Sequence, residues 1–428
     1  MERIEEIMNK FKEKKILVIG DIMLDTYIKG DVKRISPEAP VPIVNVKQEY
    51  NALGGAGNVA ANVISLGGKV TLFSFVGEDS FGAVVRELIE KIGIEGYLDK
   101  TSKTIQKTRI YSENQQLIRF DREIIKRRHF NQKMKEILVK KAKEADMIII
   151  SDYAKGTINK DLMETLSEFK NKMIVDPKPV NKRLYEKVFI ITPNEDEIIK
   201  MTSIRNVDKA SNKLKQDLKT SVLLTRGSKG MSLFSDKKID IPTNAKEVFN
   251  VTGAGDTVIA ALALALSSGA SINEAANIAN HAAGITVEKA GTYSVSFSEL
   301  MSRLQKEEGK ISDEKKLKKI VEDLKKKNKR IVWTNGCFDL LHIGHTRYLK
   351  EAKKLGDCLI VGLNSDESVR KLKGNSRPIQ SERERAEILS SLEFIDHIII
   401  FPELSPERYL KELQPDVYVK GGNILWKN

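Results

Sequence analysis

Short apolar runs alternating with stretches of helical periodicity set the pattern of this chain. Residues 15–21, 147–152, 173–176, 188–192 and 221–225 each carry consecutive Ile, Leu, Val or Met before a polar residue, as in Lys15-Ile16-Leu17-Val18-Ile19-Gly20-Asp21. They read as strands buried on both faces. Strands of this kind alternating with helices predict a parallel sheet covered by helices, an α/β fold. The segment from Asp31 to Val44 differs, because Pro37, Pro40 and Pro42 exclude a helix and leave short extended runs, a β lid beside the main sheet. Leu53-Gly54-Gly55-Ala56-Gly57-Asn58 then opens a helix of small residues that can pack close to a ligand. After a charged stretch a second series, 330–334, 357–363 and 395–401, predicts a smaller Rossmann-like sheet. The expected domains are 1–308 and 330–428, joined by a charged linker or helix over 309–329.

Composition narrows the class of protein. A chain of 428 residues exceeds one ordinary core. The longest apolar stretch, 258–266, is too short for a bilayer, and the acidic N-terminal residues do not form a signal peptide. Two cysteines, Cys337 and Cys358, form no CxxC pair, and no clustered histidines complete a zinc site, so a cytoplasmic enzyme is expected. The net charge of +13 sits largely in lysine runs such as 315–319 and 325–327, where Leu317, Ile320, Val321 and Leu324 recur at helical spacing. That is a solvated helix face. Without zinc-finger, helix-turn-helix or RNP-like patterns, the expected partners are anionic small molecules, with no nucleic acid and no membrane.

Two stretches carry chemistry. Gly253-Ala254-Gly255-Asp256 precedes the strong helix former Thr257-Val258-Ile259-Ala260-Ala261-Leu262. Glycines at a helix start expose backbone N–H groups and a positive dipole end to a transferring phosphoryl group, and Asp256 stands where it can take a hydroxyl proton. The plain alternative is a glycine-rich N-cap with an acidic first turn. Asp21 and Asp25 follow the first strand and, with Asn58, could bind sugar hydroxyls; alternatively Asp21 caps a turn. In the second stretch, Gly336-Cys337-Phe338-Asp339-Leu340-Leu341-His342-Ile343-Gly344-His345, the two imidazoles share one helix face and can donate to phosphate oxygens as charge builds at an α-phosphorus.

With Gly54-Gly55-Ala56-Gly57-Asn58 and Thr192-Pro193-Asn194-Glu195-Asp196-Glu197, the first motif resembles the ribokinase-like carbohydrate kinases over roughly the first 300 residues. The resemblance implies ATP and Mg²⁺ as cofactors, Asp256 as base, Gly253, Ala254 and Gly255 as anion hole, and Asn194 and Glu197 near the metal through water. It also implies Thr225, Gly227 and Gly230 in a nucleotide loop and Asn280 beside adenine, with His281 a packed helix residue. Arg34-Ile35-Ser36-Pro37-Glu38-Ala39-Pro40-Val41-Pro42 and Val175-Asp176-Pro177-Lys178 are similar to the bacterial heptose 7-phosphate kinases, which makes Arg34, Arg109, Arg119 and Lys178 candidate phosphate contacts. A homodimer through the lid is expected from the same resemblance.

The second motif, with 361–366 and 372–379, resembles the cytidylyltransferase-like family and, within it, the heptose 1-phosphate adenylyltransferases. Gly336, Phe338 and Asp366 are then expected around the nucleotide, with Lys373 and Arg377 on phosphates. The implied pathway leads to ADP-heptose for lipopolysaccharide core or a related surface glycan. The family pattern runs on past Val419-Lys420-Gly421-Gly422 with an acidic residue, a strand and a helix, whereas here Asn423 follows. Roughly thirty residues of a typical unit are expected to be lacking. Residues 424–426 are expected to fray, and adenylylation to be weak; the alternative is a kinase whose second half only binds nucleotide or dimerises.

Overall fold

The computed structural model describes all residues except 1, 102, 114, 246–247, 250, 290, 292, 308–309, 421–422 and 427–428, and divides into two compact units, Met1–Leu304 and Gln305–Asn428. Asn250, which opens the first motif, lies outside the described residues, as do the side chains at 424–426.

The first unit is built on a nine-stranded sheet. Its order is Lys238–Ile241, Met231–Phe234, Ser221–Thr225, Ile190–Ile191, Met173–Asp176, Met147–Ser151, Lys15–Gly20, Lys69–Gly77 and Glu95–Thr101. All neighbours are parallel except those of the edge hairpin at 231–241. Pleating sends alternate residues of one strand into different cores: Ile16 and Val18 join the face covered by helices Ala254–Ser267 and Ile272–Val287, while Leu17 and Ile19 join the other. That explains the unbroken apolar runs in the sequence. The two helices are rich in alanine and mostly buried, so they approach each other and the sheet closely.

The lid is larger than its prolines suggested. It is a four-stranded sheet ordered Pro42–Gly55, Ile22–Ile35, Gln106–Ser112 and Gln115–Arg122. Strand Ile22–Ile35 continues almost directly from the first strand of the main sheet, which fixes the lid's root beside the C-terminal ends of the parallel strands. Those ends are where an open α/β sheet receives ligands.

The second unit holds a five-stranded sheet in the order His397–Phe401, Cys358–Asn364, Ile331–Gly336, Val417–Lys420 and Asn423–Trp426, the last strand antiparallel. Residues 424–426, expected to fray, instead lie in strand Asn423–Trp426, which pairs with Val417–Lys420, because an open sheet edge supplies the backbone partners that an isolated tail lacks. The lysine-rich stretch forms helix Glu314–Lys326, which buries Leu317 and Val321 against Ile331, Trp333 and Ile360 of this sheet.

Candidate active sites

Helix Ala254–Ser267 begins at Gly253, whose φ of 81° lies in the left-handed region that glycine adopts without strain. Asp256 follows in the first turn and is buried. Its Oδ2 accepts from Asn58 Nδ2 at 2.7 Å and its Oδ1 from the Tyr153 hydroxyl at 2.9 Å. Burial pushes the carboxyl up to about 6, against the pull of these two donors, and the Asp25 carboxylate adds to the rise. Asn58 is fixed in turn: Asn62 Nδ2 donates to its carbonyls, Thr257 Oγ1 donates to Asn62 Oδ1, and Thr286 Oγ1 donates to Thr257. This polar chain is buried throughout, which makes the placement of Asn58 rigid.

The lid brings charged residues to Asp256. Strand register places Asp25 opposite Lys107 and Tyr27 opposite Arg109, and then Lys107 opposite Asp121 and Arg109 opposite Arg119, so these residues share one face. Arg109 pairs with Asp25 at 2.9 Å, both buried; burial opposes its charge, but Asp25 more than restores it. Arg119 is engaged by Asp121 at 2.6 Å. Lys107 has no hydrogen bond or ion pair among the described residues; its Nζ lies 5.1 Å from the centre of the Tyr153 ring, and burial lowers its pKa.

Asp21 and Arg34, two expected sugar contacts, lie in different surroundings. Asp21 is wholly buried, and its oxygens accept from the backbone N–H groups of Tyr153, Lys155 and Thr157 at 2.9–3.1 Å. It organises the 153–157 loop, the turn-capping alternative on a larger scale, with Oδ2 accepting two of these bonds and Oδ1 one. Arg34 is exposed near the far end of strand Ile22–Ile35, roughly 30 Å of strand beyond Asp25, so the chain's own lid does not bring it to Asp256. Gly54 and Gly55 pack against these acids: a Cβ on Gly54 would stand 2.7 Å from Asp25 Oδ2, and one on Gly55 2.3 Å from the Asp21 carbonyl oxygen.

Asn194 and Glu197 form a reciprocal capping box at helix Glu195–Thr202, which is a structural reason for the Asn-x-x-Glu spacing. Glu197 also pairs with Lys178 through its other oxygen. Burial works against the Lys178 charge, but Asp176 and Glu197 together hold its pKa above the ordinary range. Asp176 retains its proton well above the usual carboxylate range through burial, with Glu197, Asp256 and Asp152 pressing in the same direction. Thr225 ends its strand beside Asn194, and the turn that follows places Gly227 and Gly230 at positive φ. Gly230 is also a packing requirement, since a Cβ would meet the Ile241 carbonyl oxygen at 2.1 Å. Asn280 is buried, and its amide donates to the Pro242 carbonyl at 2.8 Å, which anchors a loop. His281 meets Asn244 at 2.6 Å and is lowered to about 4 by burial, as a packed residue.

In the second unit a cavity of about 810 Å³ is lined by Gly336, Phe338, His342, His345, Lys373 and Arg377. His342 caps helix Ile343–Lys353, its Nδ1 accepting from Gly344 N, and the imidazoles stack with ring centres 4.0 Å apart. His345 Nδ1 is buried without a hydrogen-bond partner among the described residues, and burial followed by His342 and Lys373 lowers its pKa. Arg377 pairs with Asp339 at 2.6 Å. Asp366 Oδ1 accepts from Arg385 at 2.6 Å. Arg385 is fully buried and also holds the carbonyls of Cys337, Asn364 and Gln380.

Tyr153, Lys107 and Arg385 escaped sequence reasoning. Tyr153 alone had a readable signal, its place just beyond the end of a parallel strand.

The fold and these sites define a carbohydrate kinase of the ribokinase fold joined to a nucleotidyltransferase unit. Residues 13–299 match the pfkB family carbohydrate kinases and residues 333–427 the cytidylyltransferase-like family. The bifunctional protein HldE of a Nitratiruptor species is 42% identical, over 96% of this chain and 92% of that protein. The HldE of Helicobacter pylori strain HPAG1 is 43% identical, over 97% and 92%. The chain belongs to the pfkB carbohydrate kinase family and, along nearly its whole length, to the HldE family of bifunctional proteins. It is an enzyme with kinase and nucleotidyltransferase activities. Among solved structures, Thermotoga maritima ribokinase superposes with a TM-score of 0.56 at 24% identity, covering 68% of this chain and 99% of its own, and shares the fold of the first unit. No helix among the described residues is long and apolar enough to cross a membrane.

Proposed function

We propose that the first unit transfers the γ-phosphoryl group of ATP to O1 of D-glycero-D-manno-heptose 7-phosphate, and that the second joins heptose 1-phosphate to AMP from ATP, giving ADP-heptose. Heptose kinase and adenylyltransferase are the two activities of the family's paired units, and the reading of the second half as a mere binding or dimerisation module is not favoured. The observation that carries the kinase reading is Asp256, buried in the first turn behind Gly253-Ala254-Gly255 and held near a pKa of 6. O1 attacks the γ-phosphorus, the bond to the β–γ bridging oxygen breaks, ADP leaves, and the O1 proton passes to Asp256. The helix-start amides hold the charge that develops on the transferring group. Asp25 and Asn58 orient sugar hydroxyls, and Lys107 with Arg109 faces the 7-phosphate.

The crowding of Asp152, Asp176 and Glu197 around the Lys178 ammonium, with Asp256 pressing on Asp176, fits a cation arriving with ATP. Asn194 and Glu197 would hold Mg²⁺ through water, and when bound it neutralises charge on the ATP phosphates. In the second unit a heptose 1-phosphate oxygen attacks the α-phosphorus and pyrophosphate leaves, with His342, His345, Lys373 and Arg377 donating to the phosphates. A separate phosphatase removes the 7-phosphate between the two steps. Exposed Ile35, Val41, Val46, Ile118 and Phe120 on the lid support its use as a homodimer interface. The chemistry suits the cytoplasm, where ATP and sugar phosphates are found, and the product suits assembly of lipopolysaccharide core.

Mass spectrometry of heptose 7-phosphate incubated with ATP tests the kinase, and pyrophosphate release from heptose 1-phosphate tests the transferase. A bisphosphate product and ADP-heptose are expected. Phosphorylation of unphosphorylated hexoses with equal efficiency would overturn the substrate assignment.

A further inference from the structure

Asp256 is gripped by two donors of unequal standing. Asn58 is locked by the buried Thr286-Thr257-Asn62 chain. Tyr153 instead sits on the loop beyond strand Met147–Ser151, next to Ala154 at φ 56°, and its ring lies 5.5 Å from the Lys178 ammonium and 5.1 Å from that of half-buried Lys107, whose side chain makes no hydrogen bond or ion pair among the described residues. Phosphoryl transfer to an alcohol requires no phenol. Burial, followed by the Asp256 charge, pushes the Tyr153 ionisation well above its ordinary range, so the hydroxyl stays a neutral donor. Each carboxylate oxygen has two acceptor sites, but Asp256 is only 4% exposed, so a sugar hydroxyl reaches it only when one of the donors covering it moves aside.

We propose that Tyr153 stands in for the sugar hydroxyl, occupying Asp256 Oδ1 until the sugar phosphate displaces it, and that its departure frees Lys107 to meet the sugar's phosphate. The phenol keeps its proton as it leaves; the sugar hydroxyl takes over the hydrogen bond to Oδ1 and delivers its own proton there during transfer. The inference rests on Asp256 as the kinase base. It gives the free enzyme a closed resting arrangement that the phosphorylated sugar opens from both ends, by its hydroxyl and by its phosphate.

Tyr153→Phe tests this, because the ring beside Lys107 remains and only the donor is lost. The groups facing Asp256 are Asp25 and Lys107 from the lid, Asn58 from the small-residue helix, Tyr153 from its loop and Asp176 from its strand end. A donor favours the ionised carboxylate, so its removal raises the Asp256 pKa, and a base works only when deprotonated. The acid limb of kcat/KM for sugar phosphate is therefore expected to move above its wild-type position near 6, while the sugar-phosphate KM falls about fivefold and that of ATP holds. A purely packing role for Tyr153 would leave the limb in place. An unmoved limb with no fall in sugar KM, in a protein whose Asp256→Asn variant has lost turnover, overturns the stand-in role alone. If Asp256→Asn keeps its turnover, the base assignment falls and the stand-in role falls with it.

Discussion

Asp256 is expensive to keep charged. With a folded pKa of about 6 against an ordinary 3.8, the proton binds more tightly to the folded chain, so the ionised carboxylate costs stability above about pH 6 and the cost fades as pH falls toward 4. An asparagine at this position can still accept from Asn58 and donate to the Tyr153 hydroxyl. Asp256→Asn is therefore expected to be more stable than wild type at pH 7.5 by on the order of 1–3 kcal/mol, with the gap closing at pH 5, while kinase turnover drops roughly 10²- to 10⁴-fold. Denaturation curves at the two pH values, with steady-state kinetics, check both halves. At this scale the sequence was only partly readable. The glycine turn pointed to Asp256, but an acidic residue after a strand has the same appearance whether it meets a sugar or, like Asp21, binds its own backbone. Asn194 and Glu197 likewise satisfy a helix cap in the described structure, and a ligand role would be additional.

Register, invisible in single residues, assembles the sugar side at the scale of elements. Gln106-Lys107-Thr108-Arg109-Ile110-Tyr111-Ser112 lacks an apolar run, and its strand becomes recognisable only when paired between Ile22–Ile35 and Gln115–Arg122. Pairing brings Lys107 and Arg109 to the Asp25 face, whereas Arg34 remains out along the lid. Lys107→Met is thus expected to raise the KM for heptose 7-phosphate about tenfold or more and to affect unphosphorylated heptose much less, while Arg34→Ala leaves that ratio unchanged. Equal losses for both sugars in Lys107→Met would remove it from the phosphate. The helix start offers a second contrast. A Cβ on Gly255 meets nothing within 4 Å, and the residue lies inside the first turn, so Gly255→Ala should stabilise the fold by about 0.5–1 kcal/mol. The same methyl projects where backbone amides are proposed to meet the phosphoryl group, and turnover should fall. A variant both more stable and fully active would place the transferring group elsewhere.

At the scale of the molecule, apolar runs identified the central strands of both sheets because strands buried on two faces have no polar alternation to disguise them. They said less about Asn423–Trp426, whose order comes from an edge partner rather than from its own sequence. Each unit has its own cores, Ile16 and Leu17 in those of the first, Val332 and Trp333 in those of the second. Their proposed reactions are separated by removal of the 7-phosphate, so the kinase product must leave the chain before the adenylyltransferase can use it. Transfer between sites on one polypeptide then gives no obligatory advantage. A mixture of Asp256→Asn and His345→Ala chains, supplied with heptose 7-phosphate, ATP and a phosphatase specific for the 7-phosphate, is expected to make ADP-heptose at a rate set by the concentration of intact sites, although neither variant does so alone. Each variant should retain its untouched half-reaction, ADP release in one and pyrophosphate release in the other. If both half-reactions survive and the mixture still fails, the intermediate is not exchanging through solution, and the two units must be coupled in a way that a freely diffusing product does not require.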